Sequence, residues 1–415
     1  MITIGYSTIF WLIILFIAFE TILDFILNKR NSKSWLQAIP NILKDVYDEE
    51  KYKKAQSYHA EKEKLNNISN VFSIILTLSF LFLKGFAHTH IWVAQQSENE
   101  ILQVLIFFGL FMITSDIISL PFQLYSIFVI EEKYGFNKMT LKTFFIDKIK
   151  GYAISIILGG SLLSLFVIFY QYAGNLFWLY AWILFSIFSI FMAMFYTSLI
   201  VPIFNKLQAL EQGTLREKIE TFATKVHFPL TKIIVIDGSK RSTKANAYFS
   251  GLGRKKSIVL YDTLIKDHTE EELVSVLAHE VGHYKLKHIQ KSMFIAVIQM
   301  GVILYILSLA INLPQLTQAL GLETQTPVFA LGLIAFSLLY SPISTVVGVL
   351  MNILSRKNEF EADHYAKENI GTGKHLIDAL KKLSSNNLSN LNPDKWYVFF
   401  HYSHPPLKER IEKLM

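Results

Sequence analysis

The chain has 415 residues, of which 52% are hydrophobic, 14% aromatic and 18% charged, and its mean hydropathy is +0.35. That is too apolar for an ordinary soluble enzyme and fits an integral membrane protein. It holds no cysteine, which excludes disulfides, thiolate metal ligands, a cysteine nucleophile and lipidation of its own thiols. The net charge of +7 taken alone would fit a nucleic-acid partner, but in a membrane protein the placement of lysine and arginine is the telling quantity, and no nucleic acid is expected.

Apolar stretches near 7–27, 70–90, 101–130, 152–172, 177–203, 293–313 and 328–354 are each long enough to cross about 30 Å of hydrocarbon. They predict a mostly α, multi-pass protein with about seven transmembrane helices. The first stretch carries Glu20 and Asp24 and lacks a small-residue cleavage site after it, so it reads as a retained helix, not a signal peptide.

Lys29, Arg30, Lys33, Lys44, Lys51, Lys53, Lys54, Lys62 and Lys64 follow the first stretch, and Lys133, Lys138, Lys142, Lys148 and Lys150 follow the third. Connections 91–100, 173–176 and 314–327 hold no lysine or arginine. Positive loops face the cytoplasm, which puts the N-terminus outside and the C-terminus inside. The implied organisation is a five-span N-terminal membrane domain (1–203), a hydrophilic part (204–292), two further spans (293–354) and a second hydrophilic part (355–415). Both hydrophilic parts then lie on the cytoplasmic side and can form one domain. Glu20, Asp24, Asp116, Gln171 and Gln299 fall within the spans, where they are expected to face protein or a hydrated interior, and Pro121 is expected to kink or tilt its span.

Residues His279, Glu280, Val281, Gly282 and His283 form an H-E-x-x-H pentapeptide. On a helix, positions i and i+4 point the same way, so both imidazoles can meet one zinc ion while Glu280 leans beside it as a base for water. Thr269 and Glu272 supply an N-cap with its reciprocal partner, and Leu273, Val276, Leu277, Val281 and Tyr284 recur at helical spacing.

A hydrolytic zinc site needs a third protein ligand and an open fourth position. The best candidate is Glu359, just beyond the last span in Asn358-Glu359-Phe360-Glu361-Ala362-Asp363. Glu359 and Asp363 stand at i and i+4, so one carboxylate can bind the metal while the other accepts the remaining N–H of a ligating imidazole; Glu361 points elsewhere. From spacing alone, an exposed acidic helix face accounts for these residues equally well.

Along nearly its whole length the chain resembles the type I CAAX prenyl protease family of integral-membrane zinc metallopeptidases. The resemblance rests on Glu131-Glu132-Lys133-Tyr134-Gly135-Phe136-Asn137-Lys138, Pro202-Ile203-Phe204-Asn205-Lys206, Lys244-Ala245-Asn246-Ala247-Tyr248-Phe249 and the pentapeptide. Two further passages join these: Ser355-Arg356 through Asp363, and His401-Tyr402-Ser403-His404-Pro405-Pro406-Leu407-Lys408-Glu409-Arg410.

The resemblance implies seven helices around a large hydrated chamber, closed on the cytoplasmic side by a gluzincin-like zinc metallopeptidase domain. It implies one Zn2+ per chain on His279, His283 and Glu359, with Glu280 as general base and Asp363 behind the ligands. It also implies that Asn246 and Tyr248 lie on the substrate-side strand, and that His404 and Arg410 sit where they could stabilise a developing oxyanion. Read without it, Asn246-Ala247-Tyr248-Phe249 is a turn leading into a strand, His404-Pro405-Pro406 a turn before a short helix, and Arg410 a solvated charge.

The expected partners are a peptide or lipidated-protein substrate and membrane lipid, with no obligate protein partner. The chain ends at Met415, soon after Arg410, and so resembles a bacterial or otherwise minimal member. That favours a bacterial cell membrane, or the endoplasmic reticulum if the source is eukaryotic, and leaves membrane-protein quality control beside processing of prenylated peptides. A non-proteolytic chaperone or transport-like chamber with a structural metal is the contrasting class. Glu280 argues against it, because a structural site has no use for a base beside the metal.

Overall fold

The structure is a computed structural model that describes residues 5–251 and 256–415. The N-terminal half is helical throughout, with α1 (Tyr6–Ser34), α2 (Glu49–Phe82), a short α3 (Gly85–Ala94), α4 (Glu100–Glu131), α5 (Leu141–Tyr172) and α6 (Gly174–Phe204). There follow β1 (Leu207–Ala209), α7 (Thr214–Lys225), β2 (Leu230–Ile236), β3 (Ala247–Ser250) and β4 (Lys256–Tyr261). The rest is again helical: α8 (Asp262–Asp267), α9 (Glu270–Lys285), α10 (His288–Ala310), α11 (Pro314–Ala319), α12 (Phe329–Ile370), α13 (Lys374–Asn386), α14 (Lys395–His401) and α15 (Leu407–Leu414).

Among the described residues seven helices, α1, α2, α4, α5, α6, α10 and α12, are long and apolar enough to cross a membrane. Their outward faces are apolar, as hydrocarbon requires: Trp11, Leu15, Phe19 and Ile22 form one exposed stripe along α1. Inward, Ile13, Phe107, Val167, Ala181, Leu307 and Leu331 pack into a common core.

The polar residues of the spans mostly find partners. Asp116 accepts from Lys148 at 2.5 and 2.7 Å and from Tyr152, Gln171 donates to Glu100 at 2.7 Å, and Thr345 donates to Glu20 at 3.2 Å. Pro121 stays inside α4, and five residues on the helix widens into a π segment over Ser126–Glu131.

One expected span is corrected. The 70–90 stretch is not a single helix: α2 ends at Phe82, Lys84 takes a left-handed conformation (φ 53°), and α3 starts afresh at Gly85. Hydropathy runs through this break because residues on both sides are apolar. The turn carries Lys84 to the end of the bundle that holds Glu323, with which it pairs at 3.1 Å. That end therefore bears a cation, although its loops 91–100 and 314–327 hold none.

The lysine-rich connections gather at the other end with the hydrophilic segments. Arg30 pairs with Asp394 at 3.0 Å, Lys381 with Asp45 at 2.7 Å, Arg241 with Asp147 at 2.8 Å, and Lys244 with Glu131 at 3.0 Å. Beneath these polar ties, Trp35, Leu43, Tyr58, Phe136, Leu391 and Ile411 form a cluster drawn from both loops and the C-terminal segment.

The four strands lie in the order β1-β2-β4-β3, with β2 and β4 parallel and both outer pairs antiparallel. Their inner face packs on α7 and α9 through Phe222, Ile233, Ile258, Leu260, Leu273 and Leu277. Among the described residues strand β3 ends the sheet, and one row of its backbone groups has no strand partner there.

Candidate active site

Helix α9 starts where the sequence expects it to. Glu272 N–H donates to the Thr269 hydroxyl at 3.3 Å and Thr269 N–H donates to the Glu272 carboxylate at 3.0 Å, a complete capping box. Lys382 of α13 clamps the same carboxylate at 2.7 and 3.0 Å, fixing the helix start to the C-terminal segment. Leu273, Leu277 and Val281 bury one face of α9, which leaves the pentapeptide's polar side chains toward α12.

Helix α12 runs 42 residues without a break, so the last span itself delivers Glu359 and Asp363 to the hydrophilic domain. It can lie against α9 because Gly282 and Ala362 meet: a methyl group at Gly282 would sit 3.1 Å from Ala362 Cα.

His279, His283 and Glu359 each offer a ligand atom, all within 4.8 Å of one another. The two imidazole Nε2 atoms face each other at 3.2 Å, and Glu359 lies 3.5 Å from the first and 3.3 Å from the second. Behind them, His279 Nδ1 donates to Asp363 at 2.8 Å, and Arg410 closes on Asp363 with Nε at 2.8 Å and Nη2 at 2.6 Å.

These groups fit a cation. Glu359 Oε2 is buried with no hydrogen bond among the described residues. With the Nδ1 proton of His279 committed to Asp363, its Nε2 presents a lone pair to the space it shares with His283 Nε2 and the Glu359 carboxylate, a donor set that suits a divalent cation. Burial alone would lower the pKa of His279, but its hydrogen bond to Asp363 and the Glu359 carboxylate beside it prevail and push the value up to about 9.

Glu280 is half-buried, and no hydrogen-bond donor among the described residues engages its carboxylate. Burial raises its pKa against the opposing pull of the two imidazoles. His404 is exposed and lies 3.4 Å from Glu359 Oε1, with its Nδ1 3.0 Å from the Ser403 hydroxyl. Arg410, read from sequence alone as a solvated charge, is buried in the bidentate pair with Asp363, and its Nη1 stands 3.5 Å from Glu359. Tyr248 lies on edge strand β3 opposite Val259, and Asn246 falls one residue before the strand, where its carbonyl accepts from Tyr261 N–H at 3.1 Å. Both line a cavity of about 700 Å³ with Tyr196 and Thr197 of α6.

The N-terminal half, residues 28–206, matches the family model described as CAAX prenyl protease N-terminal, five membrane helices. Residues 209–415 match Peptidase family M48. The chain is 40% identical to CAAX prenyl protease 1 homolog of Oryza sativa subsp. japonica, covering 97% of this chain and 95% of that protein.

The chain belongs to the CAAX prenyl protease 1 family. It is 34% identical to CAAX prenyl protease 1 of Saccharomyces cerevisiae over 91% of its own length and 88% of that protein. Its fold is similar to the crystal structure of S. mikatae Ste24p, with a TM-score of 0.91 and 32% identity over 100% of this chain and 99% of that one. It is thus a multi-pass membrane protein and a zinc metalloendopeptidase of the CAAX prenyl protease type.

Two neighbours of the site escaped the sequence reading. His288 lies five residues after His283, a spacing that does not share a helical face, and only the left-handed turn at Lys287 (φ 60°) brings it back. Its partner Glu361 turns away from Glu359 as expected, yet it meets His288 at 3.0 Å.

Proposed function

We propose that His279, His283 and Glu359 hold one zinc ion and that the enzyme cuts peptide bonds near the C-terminus of prenylated or otherwise lipidated peptides at the cytoplasmic face. The observation that carries the metal assignment is the convergence of His279, His283 and Glu359, whose ligand atoms all lie within 4.8 Å of one another. When bound, zinc supplies Lewis acidity toward the scissile carbonyl and lowers the pKa of water.

The chain's own residues do the rest. Glu280 takes a proton from the attacking water and passes it to the leaving amine, a task suited to a carboxylate whose pKa burial has raised. Asp363 fixes the tautomer and ring plane of His279, and Arg410 holds Asp363 in place, which makes Arg410 a positioning residue. His404, exposed at the rim, donates to the carbonyl oxygen as charge builds there. The open edge of β3 accepts the peptide as an added strand, with Asn246 and Tyr248 beside it.

Prenylated substrate is favoured by the names of the rice and budding-yeast relatives, together with identity over nearly the whole of both chains. The domain division expected from sequence supports the same reading: spans 1–203 and 293–354 present the lipid-anchored substrate to a peptidase assembled from 204–292 and 355–415. A cytoplasmic site and an external N-terminus follow from the lysine-rich ends that carry the hydrophilic domain.

The test is cleavage by purified enzyme of a prenylated C-terminal peptide and its unprenylated twin. Preference for the prenylated peptide by at least about tenfold in kcat/KM, worth about 1.4 kcal/mol, is expected. Equal cleavage of both would move the assignment to membrane-protein quality control.

A further inference from the structure

His288 opens α10 immediately after the turn at Lys287 and is almost fully buried, 2% exposed. Its Nδ1 stands 3.1 Å from Nδ1 of His283, and its Nε2 stands 3.0 Å from Glu361. Two facing ring nitrogens share one proton, and the direction of that hydrogen bond follows from the task of His283. A metal-binding Nε2 must keep its lone pair, so the proton of His283 sits on Nδ1 and is donated to His288 Nδ1. His288 then carries its own proton on Nε2 and donates it to the carboxylate of Glu361.

We propose that His288 and Glu361 form a positioning relay that fixes the tautomer and ring plane of His283. The inference rests on His283 being a zinc ligand. It makes the two imidazoles unequal: His279 donates directly to Asp363, whereas His283 reaches its carboxylate through a second imidazole. Both carboxylates belong to α12, the helix that also supplies Glu359, so one helix holds a ligand and both outer anchors. Hydrogen bonding of this kind behind a ligating histidine raises its basicity and removes its freedom to rotate.

The experiment measures zinc affinity of the full chain in detergent by competition with a chromogenic chelator, alongside kcat and KM at saturating zinc. His288→Phe fills the space but accepts no hydrogen bond, and should weaken zinc affinity by about 10–100-fold. His288→Asn places an amide oxygen where Nδ1 accepts, and should recover most of that loss. Glu361→Ala, at a half-exposed position that leaves the core intact, should weaken affinity several-fold with KM unchanged.

Parent-like affinity in both His288→Phe and Glu361→Ala would overturn the relay, as would folded His288→Asn protein no better than His288→Phe. If His288→Phe fails to fold, Glu361→Ala and His288→Asn decide the matter by the same criteria. His283→Ala separates the two levels of argument. If it loses zinc while the relay variants keep it, the relay alone fails; if it keeps zinc, the ligand assignment fails and the relay with it.

Discussion

Gly282 lies so close to Ala362 that a Cβ on it would stand 3.1 Å from Cα and 3.2 Å from the carbonyl oxygen of the neighbouring helix, which would have to give by a few tenths of an ångström. One of these residues is inside the pentapeptide of α9, and the other is between Glu359 and Asp363 on α12. The separation of the two helices, and with it the reach from Glu359 to both imidazoles, depends on this contact. Gly282→Ala should destabilise the fold by about 1–3 kcal/mol through overpacking and lower zinc affinity as α12 is pushed away. Thermal unfolding and chelator competition check this; parent values in both would mean that the helices can yield without disturbing the site.

Ligand and base separate by metal content. Alanine at His279, His283 or Glu359 removes a metal bond and should lower zinc occupancy and activity together. Glu280→Ala removes only a proton acceptor, so zinc should remain at about one per chain while kcat falls by several orders of magnitude. Metal analysis beside single-substrate kinetics checks both, and a Glu280→Ala protein that lost zinc in step with activity would reverse the assignments.

Arg410 should behave as a structural cation behind the ligands, not as a group that meets substrate. Its removal leaves buried Asp363 with only the His279 N–H to offset its charge, a loss of up to about 3–5 kcal/mol, and Lys cannot restore the two-pronged contact. Arg410→Ala and Arg410→Lys should both lower thermal stability and zinc affinity. A variant with parent stability and zinc content but a raised KM would instead put the guanidinium on the substrate.

His404 gives the opposite pattern. It is exposed, so His404→Ala should fold and bind zinc normally while kcat drops about 10²-fold with little change in KM. Asparagine is a good turn residue and would rescue a purely conformational role beside Pro405. A His404→Asn enzyme with parent turnover would remove His404 from the mechanism.

Topology can be read because the chain has no cysteine of its own. Single cysteines at the exposed positions Gln96 and Gln325 should react with an impermeant thiol reagent outside intact cells, and those at Lys53 and Lys142 should not. The reverse pattern would place the peptidase domain outside.

Much of this protein was determined by patterns local in sequence. Hydropathy found seven candidate spans, running past the break at Lys84 in one of them, because lipid demands about twenty apolar residues from any helix that crosses it, and the capping box at Thr269 and Glu272 marked the start of α9 because both groups lie within one turn. The i, i+4 spacing put His279 and His283 on one face, and paired Glu359 with Asp363, for the same reason.

What only the tertiary structure decided are relationships between residues far apart in the chain or across a change of backbone direction. The burial of Arg410 against Asp363 joins residues 47 apart, and the approach of α9 to α12 depends on a missing Cβ at Gly282. The break at Lys84 and the return of His288 to His283 both turn on a single left-handed residue, Lys84 in one case and Lys287 in the other. A left-handed lysine leaves no mark on hydrophobic periodicity, since it is a conformation lysine rarely takes and only the packing around it stabilises it.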